Sequence, residues 1–426
     1  MTEVQTRSTS ATLEGEAGDE RERKLPLYDW ILLPALSLVT ICLMFALMKS
    51  MAGRMFSASG NLQQKCMSFD DPATGAHGLP NTVCTDKLSE VPQIEYRFNS
   101  CGHRAGIECG LKSPGTYRIV MTGSSFGFGL GVTQEETFAA LLPSQLSKLT
   151  GRKIELYNES MLFKHPHVVA LSFDEVLAAK PDMILWILTP YDVKEASLVL
   201  PPKLPKRADP DAPGADASYL TRVKYDVKVS FAGKSVVDGI HGLYDKGFAQ
   251  FEGGLAALML QHYLYESQRL YVNAYLKGGD GDRDTVFLRT NPPAEFNGQL
   301  QQFDGYAADI EARAKAAGVP LVAVLIPQRG QAAMISMGEW PSGYDPYRLN
   351  DQLRSIVTSH GGSYIDILPD FRTTPNPERY FLPVNGHPYS EGHAIISAFL
   401  AKELTNGAVP ALQAGVQQQT ALAQGK

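Results

Sequence analysis

The stretch Tyr117–Val132, YRIVMTGSSFGFGLGV, constrains the fold more than any other. A short apolar run, Ile119-Val120-Met121, breaks into Gly123-Ser124-Ser125-Phe126-Gly127, and an amphipathic pattern opens beyond Thr133. This predicts a strand, a tight glycine-bounded turn and a helix. Such a turn presents one side chain at the C-terminal edge of a parallel sheet, where α/β folds place their ligands. Ser125 is the candidate nucleophile, with Ser124 beside it as a further cleft candidate. A serine hydroxyl is a poor nucleophile until a base takes its proton. The candidate base is His387, in Asn385-Gly386-His387-Pro388 directly before a last helical pattern.

Five apolar or alternating runs predict strands: Tyr117–Thr122, Lys153–Asn158, Asp182–Leu188, Pro320–Ile326 and Ser363–Leu368. Helical patterns separate them. Thr133-x-x-Glu136 reads as a capping box opening a helix to about Leu149. Further helices are expected over Val168–Lys180, stopped by Pro181, over Gln302–Ala317 and over Tyr347–His360. Ser390 is expected to cap a final helix ending near Asn406-Gly407. This alternation predicts an α/β fold with a parallel sheet covered on both faces.

These blocks resemble those of the SGNH/GDSL hydrolases, over roughly Ser113–Leu200 and Gln302–Leu404. That family's first block reads G-D-S, and its last carries the base histidine with an Asp two or three residues before it. Here the blocks read Gly123-Ser124-Ser125 and Val384-Asn385-Gly386-His387. The resemblance implies a flavodoxin-like three-layer sandwich with a five-stranded parallel sheet, and ester hydrolysis through an acyl-enzyme on Ser125. The family's triad Asp falls on Asn385, or on Val384 by the longer spacing; a neutral Asn orients an imidazole but stabilises the imidazolium less. After the second strand, Ser160 stands where a Gly N–H joins the oxyanion hole. After the third, Thr189-Pro190-Tyr191-Asp192 aligns with G-x-N-D, so Tyr191 replaces the oxyanion Asn and Asp192 is kept. Asn158 is the candidate substitute donor, and equally a strand cap. Asn99-Ser100-Cys101-Gly102-His103-Arg104 resembles an Asn-x-x-Gly-x-Arg stretch that precedes the first block in envelope members; His103 and His393 are expected to pack rather than ligate.

The chain has 426 residues, a net charge of −6 and 44% hydrophobic residues, which suit one large domain plus extensions and offer no basic surface for nucleic acid. Residues 1–24 read as a disordered cytoplasmic tail. Residues 25–50 hold Trp30–Met48, a run without charge and of the roughly 20-residue length that spans a bilayer. A cleaved signal peptide ending at Ser50-Met51-Ala52 is the alternative. Flanking basic residues do not orient the span. Cysteines do: Cys66, Cys84, Cys101 and Cys109 cluster just beyond it, with no C-x-x-C pair, and read as two disulfides in an oxidising compartment rather than a zinc site. Three pairings are open, Cys66–Cys84 with Cys101–Cys109 among them. The expected protein is single-pass, with the catalytic domain periplasmic or extracellular.

Residues 51–112 are expected to pack on the hydrolase-like domain, 113–200 and 294–407, without a core of their own. An insertion, 201–293, opens with a solvated linker and continues with helical patterns over Ser235–Leu243 and Gly254–Leu276. Its tyrosines, Tyr263, Tyr265, Tyr271 and Tyr275, could floor a sugar or acyl site or simply pack, and the insertion itself is a lid candidate. Residues 408–426 read as a flexible tail. His165 and His167 could line the cleft, but no carboxylate pair accompanies them, so neither metal nor cofactor is expected. The expected partners are an ester-bearing glycan or small molecule and, through the N-terminal helix, the lipid bilayer. The reading is an extracytoplasmic serine hydrolase acting on O-acyl, especially acetyl, groups of envelope or exopolysaccharide glycans. The alternatives are an O-acyltransferase of the same mechanism and an inactive polysaccharide-binding or assembly protein on the same fold.

Overall fold

The computed structural model describes residues 28–55, 59–71, 75–88, 90–196, 266–279, 285–383 and 385–413, with isolated positions between 218 and 228. Met1–Gly53 and Arg54–Lys426 are two separate units. Helix α1, Asp29–Met55, exposes Trp30, Ile31, Leu32, Leu36 and Leu43. Among the described residues no helix is long and apolar enough to cross a membrane. The span expected over Trp30–Met48 is therefore not shown.

The second unit begins with short elements: β1 Ser59–Gly60, α2 Leu62–Lys65, β2 Met67–Asp71, β3 Gly75–Gly78, β4 Val83–Lys87 and β5 Ile94–Arg97. They form a β1-β4-β5 sheet and a β2-β3 pair. Disulfides join Cys66 to Cys84 and Cys101 to Cys109, which selects one of the three open pairings. This segment packs on the following domain through a small shared core. Leu62, Phe69, Ile94, Tyr96 and Phe98 are buried together, because β5 turns alternate side chains inward. Phe128, Met161 and Leu162 of the following domain complete that core.

The main sheet holds β6 Thr116–Gly123, β7 Lys153–Asn158, β8 Met183–Leu188, β9 Leu321–Leu325 and β10 Ser363–Ile365, all parallel. Their spatial order is β7-β6-β8-β9-β10. Counted along the chain this is 2-1-3-4-5, the flavodoxin-like order. Every residue of β8 and β9 is buried, as near-continuous apolar runs are when helices cover both faces. Trp186 of β8 stacks on Phe303 at 5.6 Å.

The helices are α3 Ser125–Phe128, α4 Phe138–Thr150, α5 Pro166–Leu171, α6 Phe173–Ala178, α7 Pro190–Lys194, α8 Gln268–Ala274, α9 Ala294–Ala316, α10 Arg329–Met337, α11 Arg348–Ser359 and α12 Ser390–Glu403. One layer packs α4 against α12, and the other packs α9 against α5, α7 and α11. Three boundaries differ from expectation. Thr137, not Thr133, caps α4 by accepting from the Ala140 N–H, while Thr133 and Glu136 bond side chain to side chain. The helix expected over Val168–Lys180 is two short helices broken at Ser172. Tyr389 is the N-cap position of α12, and the Ser390 hydroxyl bonds Glu391. Val409 and Leu412, at the start of the tail expected from residue 408, are buried; residues 414–426 lie outside the described residues.

Of the insertion, the linker, Ser235–Leu243, Tyr263 and Tyr265 lie outside the described residues. Its last part packs on the C-terminal edge of the sheet. Gln268 donates to Glu378 at 2.8 Å, and the Tyr275 hydroxyl donates to Gln328 at 2.7 Å, just beyond β9. Tyr271 and Tyr275 are buried, the packing reading of those rings.

Candidate active site

Strand β6 delivers the turn that carries the candidate nucleophile. Gly123 ends the strand at φ +150, and a Cβ there would lie 2.5 Å from the Ile187 carbonyl oxygen of β8, so only glycine lets the chain turn so close to its neighbour. Ser124 follows in extended conformation as the N-cap position, buried and with its hydroxyl making no cap bond. Ser125 opens α3 half-buried. Its position at the sheet's C-terminal edge is the one expected.

His387 arrives from a loop pinned on itself: Leu382 N–H donates to the His387 carbonyl at 2.8 Å, and Gly386 N–H to the Leu382 carbonyl at 2.9 Å. Its Nε2 lies 2.7 Å from Ser125 Oγ, and its Nδ1 lies 2.5 Å from Asn385 Oδ1. An amide oxygen facing Nδ1 accepts the Nδ1–H. That leaves Nε2 bare to accept the Ser125 proton, as a general base must. Burial pushes the imidazole down to about 4; a hydrogen bond with the Asn385 main chain pulls it up, and the Arg329 guanidinium presses it down further. His387 is therefore neutral at pH 7. Gly386, at φ +83, makes room for Arg329: a Cβ would meet Nη1 at 2.5 Å. The Asn385 N–H donates to Glu90 at 2.7 Å, so the disulfide-bearing segment helps hold the histidine loop. Neither Arg329 nor Glu90 was marked by a sequence pattern, because both act through distant chain segments.

The Asn-x-x-Gly-x-Arg stretch supports the other end of α3. Arg104 is buried, lies 4.5 Å from the Tyr96 ring centroid and 5.2 Å from that of Phe128, and donates to the carbonyls of Phe128, Gly129 and Val132 at 2.6–2.9 Å. Burial pulls the guanidinium down to about 10, still cationic at neutral pH. Asn99 bonds the Tyr157 hydroxyl, and so does His103, a buried packing histidine pushed down to about 3 by burial. Arg104→Leu would leave three carbonyls without their donor. The expected cost is roughly 3 kcal/mol at about 1 kcal/mol each. Urea unfolding measures it, and an unchanged midpoint would remove this role.

The expected oxyanion donors are tied to each other. Ser160 N–H donates to Asn158 Oδ1 at 3.0 Å, and Asn158 Nδ2 donates to the Gly127 carbonyl at 2.9 Å. Asn158 is buried, so its amide must find partners within the protein. It takes main-chain groups on both sides and joins the β7 loop to α3. Asp192 caps α7, accepting from Thr189 N–H and Oγ1 at 2.6 and 2.8 Å, and its other oxygen faces His165 Nδ1 at 3.0 Å. Tyr191 lines a shallow recess of about 10 Å³ with Pro190, Lys194, Val286, Phe287, Phe296 and Gln328. Its ring lies beneath the Lys194 ammonium at 5.5 Å. His393 is buried and accepts from the Phe138 N–H. Among the described residues no cluster of His, Cys, Asp or Glu could hold a metal ion.

A 2-1-3-4-5 sheet with a serine after its first strand and a bonded histidine before its last helix decides the architecture. The sheet has the flavodoxin-like order, and the serine and histidine stand where the resemblance to the SGNH hydrolases implies. Among solved structures, the chain is similar to TesA, at 10% identity over 69% of this chain and 99% of that one, with a TM-score of 0.35. It is similar to Axe2, an acetyl-xylooligosaccharide esterase from Geobacillus stearmophilus, at 11% identity over 68% and 94%, with a TM-score of 0.35. It is also similar to the psychrotrophic esterase EstA from Pseudoalteromonas sp., at 12% identity over 67% and 96%, with a TM-score of 0.32. No protein-family model matches the chain, and no curated protein matches it.

Proposed function

We propose that the chain is a serine ester hydrolase acting on O-acetyl groups of a glycan, held to a membrane by its N-terminal helix with the catalytic domain outside the cytoplasm. The observation that carries the chemistry is the continuous bonded series Ser125 Oγ, His387 Nε2, His387 Nδ1, Asn385 Oδ1. Ser125 Oγ attacks the ester carbonyl while His387 Nε2 takes its proton. With Ser160 N–H held by Asn158, the Ser125 main-chain N–H is the principal donor to the oxyanion, since first-turn N–H groups have no acceptor within a helix. His387 returns the proton to the leaving alcohol as the tetrahedral intermediate collapses to an acyl-serine. It then deprotonates a water that attacks the acyl carbon, and Ser125 leaves reprotonated with release of the acid. The uncharged run Trp30–Met48 lies within α1, and the two disulfides suit an oxidising compartment. Both support the anchored, extracytoplasmic placement.

A fluorophosphonate probe tests this reading in alkaline-washed membranes of expressing cells. Labelling at Ser125 is expected, in the membrane pellet. A full-length chain that stays unlabelled would favour the inactive alternative, and label confined to the supernatant would remove the anchor.

A further inference from the structure

Phe163 holds a backbone conformation that bulky residues avoid. Its φ is +63, and Lys164 N–H donates to the Met161 carbonyl, so Phe163 occupies the third position of a tight turn, where glycine is usual. Left-handed backbone costs a non-glycine residue roughly 1–2 kcal/mol, and such strain persists where the surroundings fix it, commonly at functional sites. The surroundings here do fix it. On one side Lys164 is buried, donates to the Glu159 carbonyl at 3.2 Å and lies 4.0 Å from its carboxylate. Next, His165 is held by Asp192. Behind, Met161 N–H donates to the Gly123 carbonyl at 3.0 Å, two residues before Ser125. Phe163 itself remains 39% exposed, meeting the buried Phe69 edge-on at 5.8 Å. The ring is thus part-exposed while resting on Phe69, on the loop whose Met161 N–H bonds the Gly123 carbonyl.

We propose that Phe163 is the floor of a sugar-binding subsite beside Ser125, with the His165 imidazole as its polar wall. A pyranose presents a face of C–H groups to an aromatic ring and hydroxyls around its edge to polar neighbours. A half-exposed phenyl two residues from an imidazole oriented by a carboxylate fits that pattern. A fatty acyl chain fits it less well, because it calls for an enclosed apolar channel. This deepens the proposed ester hydrolysis by giving its substrate a sugar ring next to the acylated hydroxyl.

The test measures binding, so it does not depend on turnover. Calorimetry on the full-length chain in detergent uses unacylated cellohexaose, xylohexaose and chitohexaose, which carry no ester. Phe163→Gly suits φ +63 and is expected to keep or raise the melting temperature while weakening the tightest of these ligands by about tenfold or more. Phe163→Trp is expected to retain affinity. No binding of any of the three by the wild-type chain overturns the subsite. So does a Phe163→Gly variant that melts lower with unchanged affinity, which would make the ring a packing partner of Phe69. Failure of the ester reading itself is recorded separately, by the absence of fluorophosphonate labelling.

Discussion

Ser125→Ala, His387→Ala and the double variant are expected to lose aryl acetate turnover by nearly the same factor, on the order of 10⁴ or more, because a nucleophile and its base act as one unit. The 2.7 Å contact between His387 Nε2 and Ser125 Oγ is the reason. Without His387 the hydroxyl keeps its proton; without Ser125 the imidazole has no nucleophile to activate. Folding should survive the serine change, since Ser125 is half-buried and alanine suits the first position of α3. His387 packs on Phe126 with ring centroids 4.8 Å apart, so His387→Gln is the control that keeps more of that volume. Purified variants with native melting curves, assayed beside the wild type, decide the matter. Losses that multiply in the double variant, or a Ser125→Ala enzyme that still turns over, would mean that the pair does not work together.

The strands and the serine were legible because their signals are local. Apolar runs bounded by glycine or proline gave β6, β7, β8 and β9 to within about a residue or two, the usual uncertainty of element ends. The Gly123-Ser124-Ser125 turn announced itself by the same break in pattern. What was not legible is which polar group meets which. Thr133 and Ser390 have the right residue type for caps, yet the chain enters each helix four residues later or one residue earlier, and the cap goes to the residue with the required backbone. Ser160 was read as an oxyanion donor and Asn158 as either a substitute donor or a strand cap; in the fold Ser160 N–H bonds Asn158, and Asn158 bonds the Gly127 carbonyl. Asp192 looked like a remnant of a binding block, and its retention follows from the cap it makes on α7. Phe163 carries no pattern at all, since a single aromatic in a loop reveals neither its φ nor its exposure.

Asn385→Asp is expected to raise kcat by at least about tenfold, bounded above by the factor of about 10⁴ that the converse change costs a Ser-His-Asp triad. In the wild type, burial and Arg329 hold the imidazole down to about 4. A base that weak is neutral and ready at pH 7, yet proton transfer to it from serine runs far uphill, and general-base catalysis works best when the pKa lies near the operating pH. A carboxylate at 385 would face Nδ1 and stabilise the imidazolium that forms. Two other charges set the size of the gain. Glu90, which accepts the Asn385 N–H, opposes a second negative charge, and Arg329 beside Gly386 favours it. The sign in pH follows. Activity requires neutral His387, so the wild-type profile of kcat/KM falls only as pH drops towards about 4. Raising the imidazole pKa moves that acid limb upward, so the variant outruns the wild type at pH 7–8 and loses its advantage in acid. Profiles of both enzymes from pH 4 to 9 measure the two effects together. A variant with the wild-type kcat and an unmoved acid limb would show that Asn385 orients the imidazole as well as a carboxylate could, and that its charge is not what limits the rate.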